Sequence, residues 1–508
     1  MSVSRAMGTV WPSSDDYASR ARRVWRWTVG ASATSAVLYA IALIATGGDP
    51  ILLAPLAGTL IVAAVLVRPV VGLYMVFAAV LLLEQFDVPG ISPLTAQTHF
   101  YQNVSAFTPI PLRLSACDLL IVLTLASCAV RHFVRHESMR RGPFAAAVAL
   151  YAGAFGIGTV IGIVRGGAWD ASATLAELRG PVYVALLYFL TVDLIRDRGQ
   201  LSMLLWAFVA LVATKGLQGI ANYVTTSGVA LEAVTAHEDV IFFNAAIALA
   251  VASLVIGKHS KMSYALVAAA PAILLAELVT QRRVGFIGLA IVLLAVVILS
   301  LAREPRRAFG LVALGVLAVG AYVPLFWDAS GAVAEPIRAL RTVLDDPTVT
   351  VRDQLSDRWR EIEDRNIEFT MRQLPLTGVG LGQQYLFQEE PPRPSATFVY
   401  WRYMTHNAVL WVWLKAGPIG AFALFFLVAR VLLVGSVLFV RLRDAELRLA
   451  AALMIALVIA QVIFSSVELG LTYSRTMIVL GVALGMAAVL SEAAARDGAT
   501  KPMRAVMA

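Results

Sequence analysis

Long apolar runs separated by short, basic turns set the pattern of this chain. A hydrocarbon core about 30 Å thick needs roughly 20 apolar residues per helix. Fourteen runs approach that length, near 29–46, 50–67, 69–85, 115–130, 144–164, 181–195, 201–222, 240–257, 262–279, 284–301, 308–326, 417–440, 449–467 and 473–491. The pattern predicts an all-α polytopic membrane protein with about 12–14 transmembrane helices. The first run follows a 28-residue arm, and no small-residue cleavage site comes after it. It is therefore expected to be a span and not a cleavable signal.

One interruption is long. Residues 327–405 form a connection of 79 residues, far beyond the usual length of a loop. Within it, Leu355, Trp359, Ile362 and Phe369 fall on one helical face. Arg358, Arg360, Glu361, Asp364 and Arg365 fall on the opposite face, so 351–374 is expected as an amphipathic helix. Pro391, Pro392 and Pro394 then read as extended linker. The expected organisation is a cytoplasmic arm 1–28, a bundle of about 11 spans over 29–326, the large and partly helical extracytoplasmic loop 327–405, C-terminal transmembrane helices over 406–491, and a cytoplasmic tail 492–508.

Composition agrees with the pattern. Of 508 residues, 59% are apolar and 15% charged, which excludes an ordinary soluble enzyme and a disordered chain. The net charge of +8 reports orientation before it reports any nucleic-acid partner. With the N-terminus inside, the inner segments carry 23 Lys and Arg, against Arg113, Arg165, Arg179, Arg282, Arg283 and Arg475 in the short outer ones. That asymmetry predicts both termini in the cytoplasm. Cys117 and Cys128 lie on one run, about 16 Å apart along a helix, too far to bond.

The outer polar residues carry the candidate chemistry. Arg179 stands at the mouth of the sixth span, in Glu177-Leu178-Arg179-Gly180-Pro181. Arg282 and Arg283 form the turn between spans nine and ten, with Glu277 one turn below. Lys215, Gln218 and Asn222 make a polar stripe on span seven, and His406-Asn407 closes the long loop. Arginines and a histidine at one membrane face can bind an anion and accept a proton. Each residue also has a plainer role. A span-end arginine ordinarily snorkels to headgroups, Glu277 can pair with the Arg282/Arg283 turn, and the Lys215 stripe can join helices. His132, His136 and His259 fall among inner basic residues; His99 and His237 carry no motif. Gly378, Gly380 and Gly382 lack a dinucleotide-binding context and read as a flexible loop that lets backbone approach something closely. Gly417-Pro418 is expected to break a short helix from the following span. No metal site is expected, because His406 has no ligand partner at zinc spacing.

The stretch Pro375-Leu-Thr-Gly378-Val-Gly380-Leu-Gly382 is followed by His406-Asn407, nine residues, and Gly417-x-x-Gly420. In this the sequence resembles the O-antigen ligase and O-antigen polymerase-like family of polytopic glycosyltransferases, with the motif-bearing core over about 280–420. The family shows an arginine at the outer end of an upstream span. Gln281-Arg282-Arg283-Val284-Gly285 occupies that place without the family's serine, and Arg283 is the favoured counterpart. A second family arginine corresponds by position to Arg179.

The resemblance implies transfer of a glycan from an undecaprenyl-diphosphate carrier to a glycan or glycolipid acceptor hydroxyl at the outer face of the cell (inner) membrane, in surface polysaccharide synthesis. It implies that His406 activates the acceptor while Arg283, Arg282 and Arg179 bind the diphosphate. Asn407, Lys215, Glu277, Arg352, Arg358, Gly378, Gly380 and Gly382 are expected as support. A glycosyl diphosphate carries its own leaving group, so the reaction is expected to need no carboxylic general acid, cofactor or metal, and to invert the anomeric centre. A repeat polymerase of the same family is the alternative. A transporter or lipid-linked glycan flippase is the alternative of another class, but its polar groups are expected near the bilayer midplane.

Overall fold

The structure, a computed structural model, describes residue 34 and residues 53–85, 99–226, 234–329, 331–343, 351–391 and 398–497, without the side chains of 53–56, 342–343 and 351–356. The expected span at 29–46 (residue 34 apart), the arm 1–28, Pro392, Pro394 and the tail beyond 497 lie outside the described residues. The chain divides into two units, Met1–Val67 and Arg68–Ala508. In the first, the described helix is α1 (Leu53–Val67).

The second unit is helical throughout, with no strand among the described residues. It begins with α2 (Pro69–Leu82), α3 (Ala116–Arg135), α4 (Ala145–Arg165), α5 (Ala171–Leu194), α6 (Arg198–Thr225) and α7 (Asp239–Ile256). Next come α8 (Lys261–Thr280), α9 (Arg283–Leu301), α10 (Pro305–Phe326), α11 (Glu335–Val343) and α12 (Val351–Gln373). It ends with α13 (Ala408–Arg441), α14 (Ala445–Ser465), α15 (Ser474–Gly485) and α16 (Ala487–Arg496). Among the described residues, 11 helical stretches are long and apolar enough to cross a membrane. They are α3 to α10, α13, α14 and the continuous α15–α16. The run at 69–85 forms a helix of 14 residues, short of a full span, and 15 residues of the run at 50–67 are described as helix.

One boundary differs from the sequence reading. The run expected at 181–195 is α5, which starts ten residues earlier, where Asp170 caps it by accepting the Ala173 N–H at 2.8 Å. Glu177, Arg179 and Pro181 interrupt the apolar pattern, yet they lie inside the helix because both charges are paired within the protein. At α13 the expected Gly417-Pro418 break is present: Gly417 has non-helical φ 63 and ψ −165, so a short helix from Ala408 meets the following span across a kink.

Helices α7 and α14 fill the centre and are buried along most of their length, while α10 stands at the periphery. Small residues allow a close approach between α5 and α15. A side chain at Gly481 would meet the Val184 carbonyl at 2.7 Å, and one at Gly485 would meet Thr191 at 2.4 Å. At one end of the bundle the basic turn residues bind helix C-terminal carbonyls. Arg303 reaches Val440 O at 2.6 Å, Arg307 reaches Ile256 O at 2.8 Å and Arg140 reaches Val192 O at 3.1 Å, a favourable place for positive charge. The connections 234–238, 281–282 and 466–473 and the described parts of 327–407 gather at the other end. Within the long connection, α12 is tied to the chain after it by Asn366, whose amide oxygen accepts the Gln388 and Glu389 N–H groups at 2.7 and 3.0 Å.

Candidate functional site

The glycine-rich stretch comes first, because it fixes everything above it. It is a buried strap on α4 and not a loop free to move. Leu381 N–H donates to Gly158 O at 3.0 Å, and Val379 N–H to Leu414 O at 2.7 Å. Gly158 and Gly162, four residues apart on α4, open the groove. A side chain at Gly162 would stand 2.0 Å from Leu381 O, and one at Gly380 would stand 2.3 Å from Gly162 N. Gly380 also has φ 87, which a side chain resists. The close backbone approach expected of these glycines is therefore made to the protein's own helix. Beneath the strap, Lys415 and Glu177 form a fully buried pair at 2.9 Å. Glu177 also accepts the Gly382 N–H at 2.6 Å, and Lys415 donates to Gln383 O.

His406 follows the strap, immediately before α13. Asn407 caps that helix, accepting the Leu410 N–H at 3.1 Å. Helix α12 lies over the histidine. Glu363, buried to 1% exposure, accepts the His406 backbone N–H at 2.8 Å and faces Nδ1 at 3.4 Å. Trp359 and Phe398 pack edge-on to the imidazole at 4.6 and 5.7 Å. Burial pushes the His406 pKa down, but the Glu363 hydrogen bond and charge, with the charge of Glu468, outweigh it and leave it above its ordinary 6.5. Burial and the neighbouring Glu363 push Asp364 up to about 6.

The arginines adjoin this dyad. Arg283 holds Asp357 with both guanidinium nitrogens, at 3.1 and 3.2 Å. Arg360 bridges from Asp357 at 3.5 Å to Glu468 at 3.0 Å. Arg360, expected on the face of α12 opposite the apolar residues, turns toward the bundle, where Glu468 on the 466–473 connection supplies a buried counter-charge. Arg282 contacts His237. Burial, and then the Arg282 charge, push His237 down to about 4, so it is neutral at pH 7. Glu468 faces His406, Arg360, His237 and Arg282; burial would raise its pKa, but the positive charges beside it, His406 and Arg360 first, hold it below the usual carboxylate range.

Other expected residues stand elsewhere. Arg179 is paired with Asp118 at 3.0 Å and with Asn103, in a network that includes Tyr183. Lys215 is buried against Glu84 and the Leu82 carbonyl, an internal tie between α6 and the end of α2. Glu277 does not pair with the Arg282/Arg283 turn. It is buried, both oxygens lack a hydrogen-bond partner among the described residues, and it faces Gly285. Arg358 is exposed and pairs with Glu389 at 3.6 Å. The side chain of Arg352 lies outside the described residues.

Glu363, Asp357, Arg360, Glu468 and His237 complete the cluster, and sequence reasoning gave none of them a role in the site. The one available signal was at Glu363, four residues after Trp359 on the face of α12 turned to the bundle.

The fold and site define a polytopic all-helical membrane protein whose large inter-helix segment covers a histidine and arginine cluster at one end of the bundle. Residues 266–425 match the family model of the O-antigen ligase domain, Wzy_C. The match spans Arg282, Arg283, α12, the strap and His406, and it supports an O-antigen ligase-like family with a ligase or polymerase-like role in surface polysaccharide synthesis. No curated protein matches the chain.

Proposed function

We propose that this chain transfers a glycan from an undecaprenyl-diphosphate carrier to an acceptor hydroxyl at the extracytoplasmic face of the cell membrane. The observation that carries the reading is the Glu363–His406 dyad beside Arg282, Arg283 and Arg360. With Glu363 on Nδ1, the imidazole keeps one tautomer, and its other nitrogen serves as base toward the acceptor hydroxyl. Asp357 occupies the fork of Arg283 as a phosphate oxygen pair would, and guanidinium forks stabilise the charge that develops on a departing diphosphate. The acceptor oxygen forms the new bond to the anomeric carbon as the bond to diphosphate breaks on the opposite face, which inverts the centre. The acceptor proton goes to His406. Charge supports the sidedness: basic residues gather at the end of the bundle opposite the site, and that end belongs in the cytoplasm by the positive-inside rule. Arg179, bound into the Asp118 network, is assigned to holding α5 against α3.

Incubation of the purified chain with a carrier-linked glycan and its acceptor tests the proposal. A single mass shift marks a ligase and a ladder marks a polymerase. No covalent change in a folded sample refutes transfer and favours transport. His406→Ala is expected to abolish product while the protein still inserts and folds; unchanged product removes the base role. Arg283→Lys keeps the charge but loses the fork, so near-normal turnover contradicts diphosphate recognition at that residue.

A further inference from the structure

An open cavity of about 580 Å³ lies at the C-terminal end of α12, between that helix, the strap and the end of α4. Among the described residues its lining carries one guanidinium, Arg165, and three primary amides, Gln373, Gln383 and Gln384, with no carboxylate, imidazole or thiol. Such a set binds and does not catalyse. Several of these groups are held in place. Arg165 donates to Thr377 Oγ1 and Gly378 O, both at 3.0 Å. Gln383 donates to Gly162 O at 2.8 Å and Gly166 O at 2.7 Å, and Gln384 to the Tyr403 hydroxyl at 3.2 Å. Phe369 and Leu386 add an apolar wall.

Fixed neutral amides beside an apolar wall suit a pyranose ring, whose hydroxyls need hydrogen-bond partners and whose C–H face needs an apolar surface. A lone guanidinium is a poor site for a diphosphate, and an amide-rich lining is a poor site for a lipid chain. Position along α12 fits as well. Phe369 and Gln373 come six and ten residues after Glu363, about 9 and 15 Å along the helix axis. A group bonded at the reacting carbon stays beside His406, whereas the further sugars of a chain reach the cavity.

We propose that this cavity is a saccharide-binding subsite that holds a glycan chain at a distance from the reacting carbon. The ligand class rests on the transfer reading above. The glycan can belong to the donor or to the acceptor, because the recognising chemistry is the same.

Calorimetric titration of the purified full chain in detergent separates the cases without any need for turnover. The probes are the free oligosaccharide released by mild acid from the host's lipid-linked glycan, the host's delipidated acceptor saccharide, a monosaccharide, and inorganic phosphate. The wild-type chain and His406→Ala are expected to bind one of the two oligosaccharides equally well and the monosaccharide far more weakly. Gln384→Ala and Phe369→Ala are expected to bind it about five- to tenfold more weakly, the loss from removing one contact among several, while Phe369→Tyr retains binding. The oligosaccharide that binds identifies the source. The proposal is overturned if neither oligosaccharide binds, if folded Gln384→Ala and Phe369→Ala bind like wild type, or if phosphate saturates the site in place of the saccharide. A chain that binds saccharide but makes no product refutes the transfer reading and leaves the subsite standing.

Discussion

Lys415→Met tests whether the strap is the mechanical base of the site. Lys415 and Glu177 are fully buried and 2.9 Å apart. Glu177 further accepts from Gly382 N–H at 2.6 Å and from the Trp411 indole at 3.4 Å. Removing the ammonium leaves the carboxylate with two neutral donors and strips Gln383 O of its partner. Breaking a buried pair from one side costs about 3–5 kcal/mol, because the remaining charge stays buried and uncompensated. Replacing both charges by neutral groups of similar volume is often close to neutral. Lys415→Met with Glu177→Gln is therefore expected to recover at least half of the loss, a coupling of about 2 kcal/mol or more. Equilibrium unfolding in mixed dodecyl sulfate and detergent micelles, run as a double-mutant cycle, measures the coupling, and transfer is assayed on the same samples. Product formation is expected to fall in the single variant and to return with stability in the double one. A single-variant loss below about 1 kcal/mol, the range of a solvated pair, refutes the reasoning. So does a double variant no more stable than the single.

Two more substitutions read the cluster above the strap. Glu363→Gln removes the larger part of what raises the His406 pKa, leaving the charge of Glu468 against the burial that lowers it. Transfer needs the unprotonated imidazole and rises as pH climbs through the raised pKa, so the acid limb of the pH–rate profile is expected to move to lower pH; an unmoved limb assigns Glu363 a structural role only. Asp357→Asn releases Arg283 and Arg360 from a half-exposed carboxylate, and the donor KM is expected to fall by up to about fivefold with kcat unchanged, the scale of a surface ion pair. A higher KM shows instead that Asp357 positions the arginines.

The spans were legible because lipid imposes one simple demand, continuous apolar length, and thirteen of the fourteen expected runs coincide with described helices. What periodicity could not show was where a helix carries charge. Glu177 and Arg179 read as the outer lip of a span, yet both lie inside α5, since Lys415 and Asp118 lie far away in sequence and close in space. The same long-range pairing hid the function of Lys215, whose stripe ends in a buried contact with Glu84. A buried ion pair is a property of two helices, and a single-sequence pattern describes one at a time.

The site was legible in a different measure. His406, Asn407 and the Arg282–Arg283 turn stand in local motifs, and a motif survives reading along the chain. The groups that tune them do not. Glu363 sits among Arg360, Glu361, Asp364 and Arg365 on a helix whose charge pattern looks solvated throughout, and its one distinction is burial to 1%. Glu468 lies in a short connection between α14 and α15 with no motif at all, yet four ionisable side chains face it. Folding the long inter-helix segment back over the helix ends is what brings these carboxylates to the histidine and the arginines. A bare set of guanidinium groups at a membrane surface would attract any anionic headgroup. On the proposed function, an incoming diphosphate competes with Asp357 for the fork of Arg283 and with Glu468 for Arg360, so these acidic residues would disfavour anions that cannot replace both contacts.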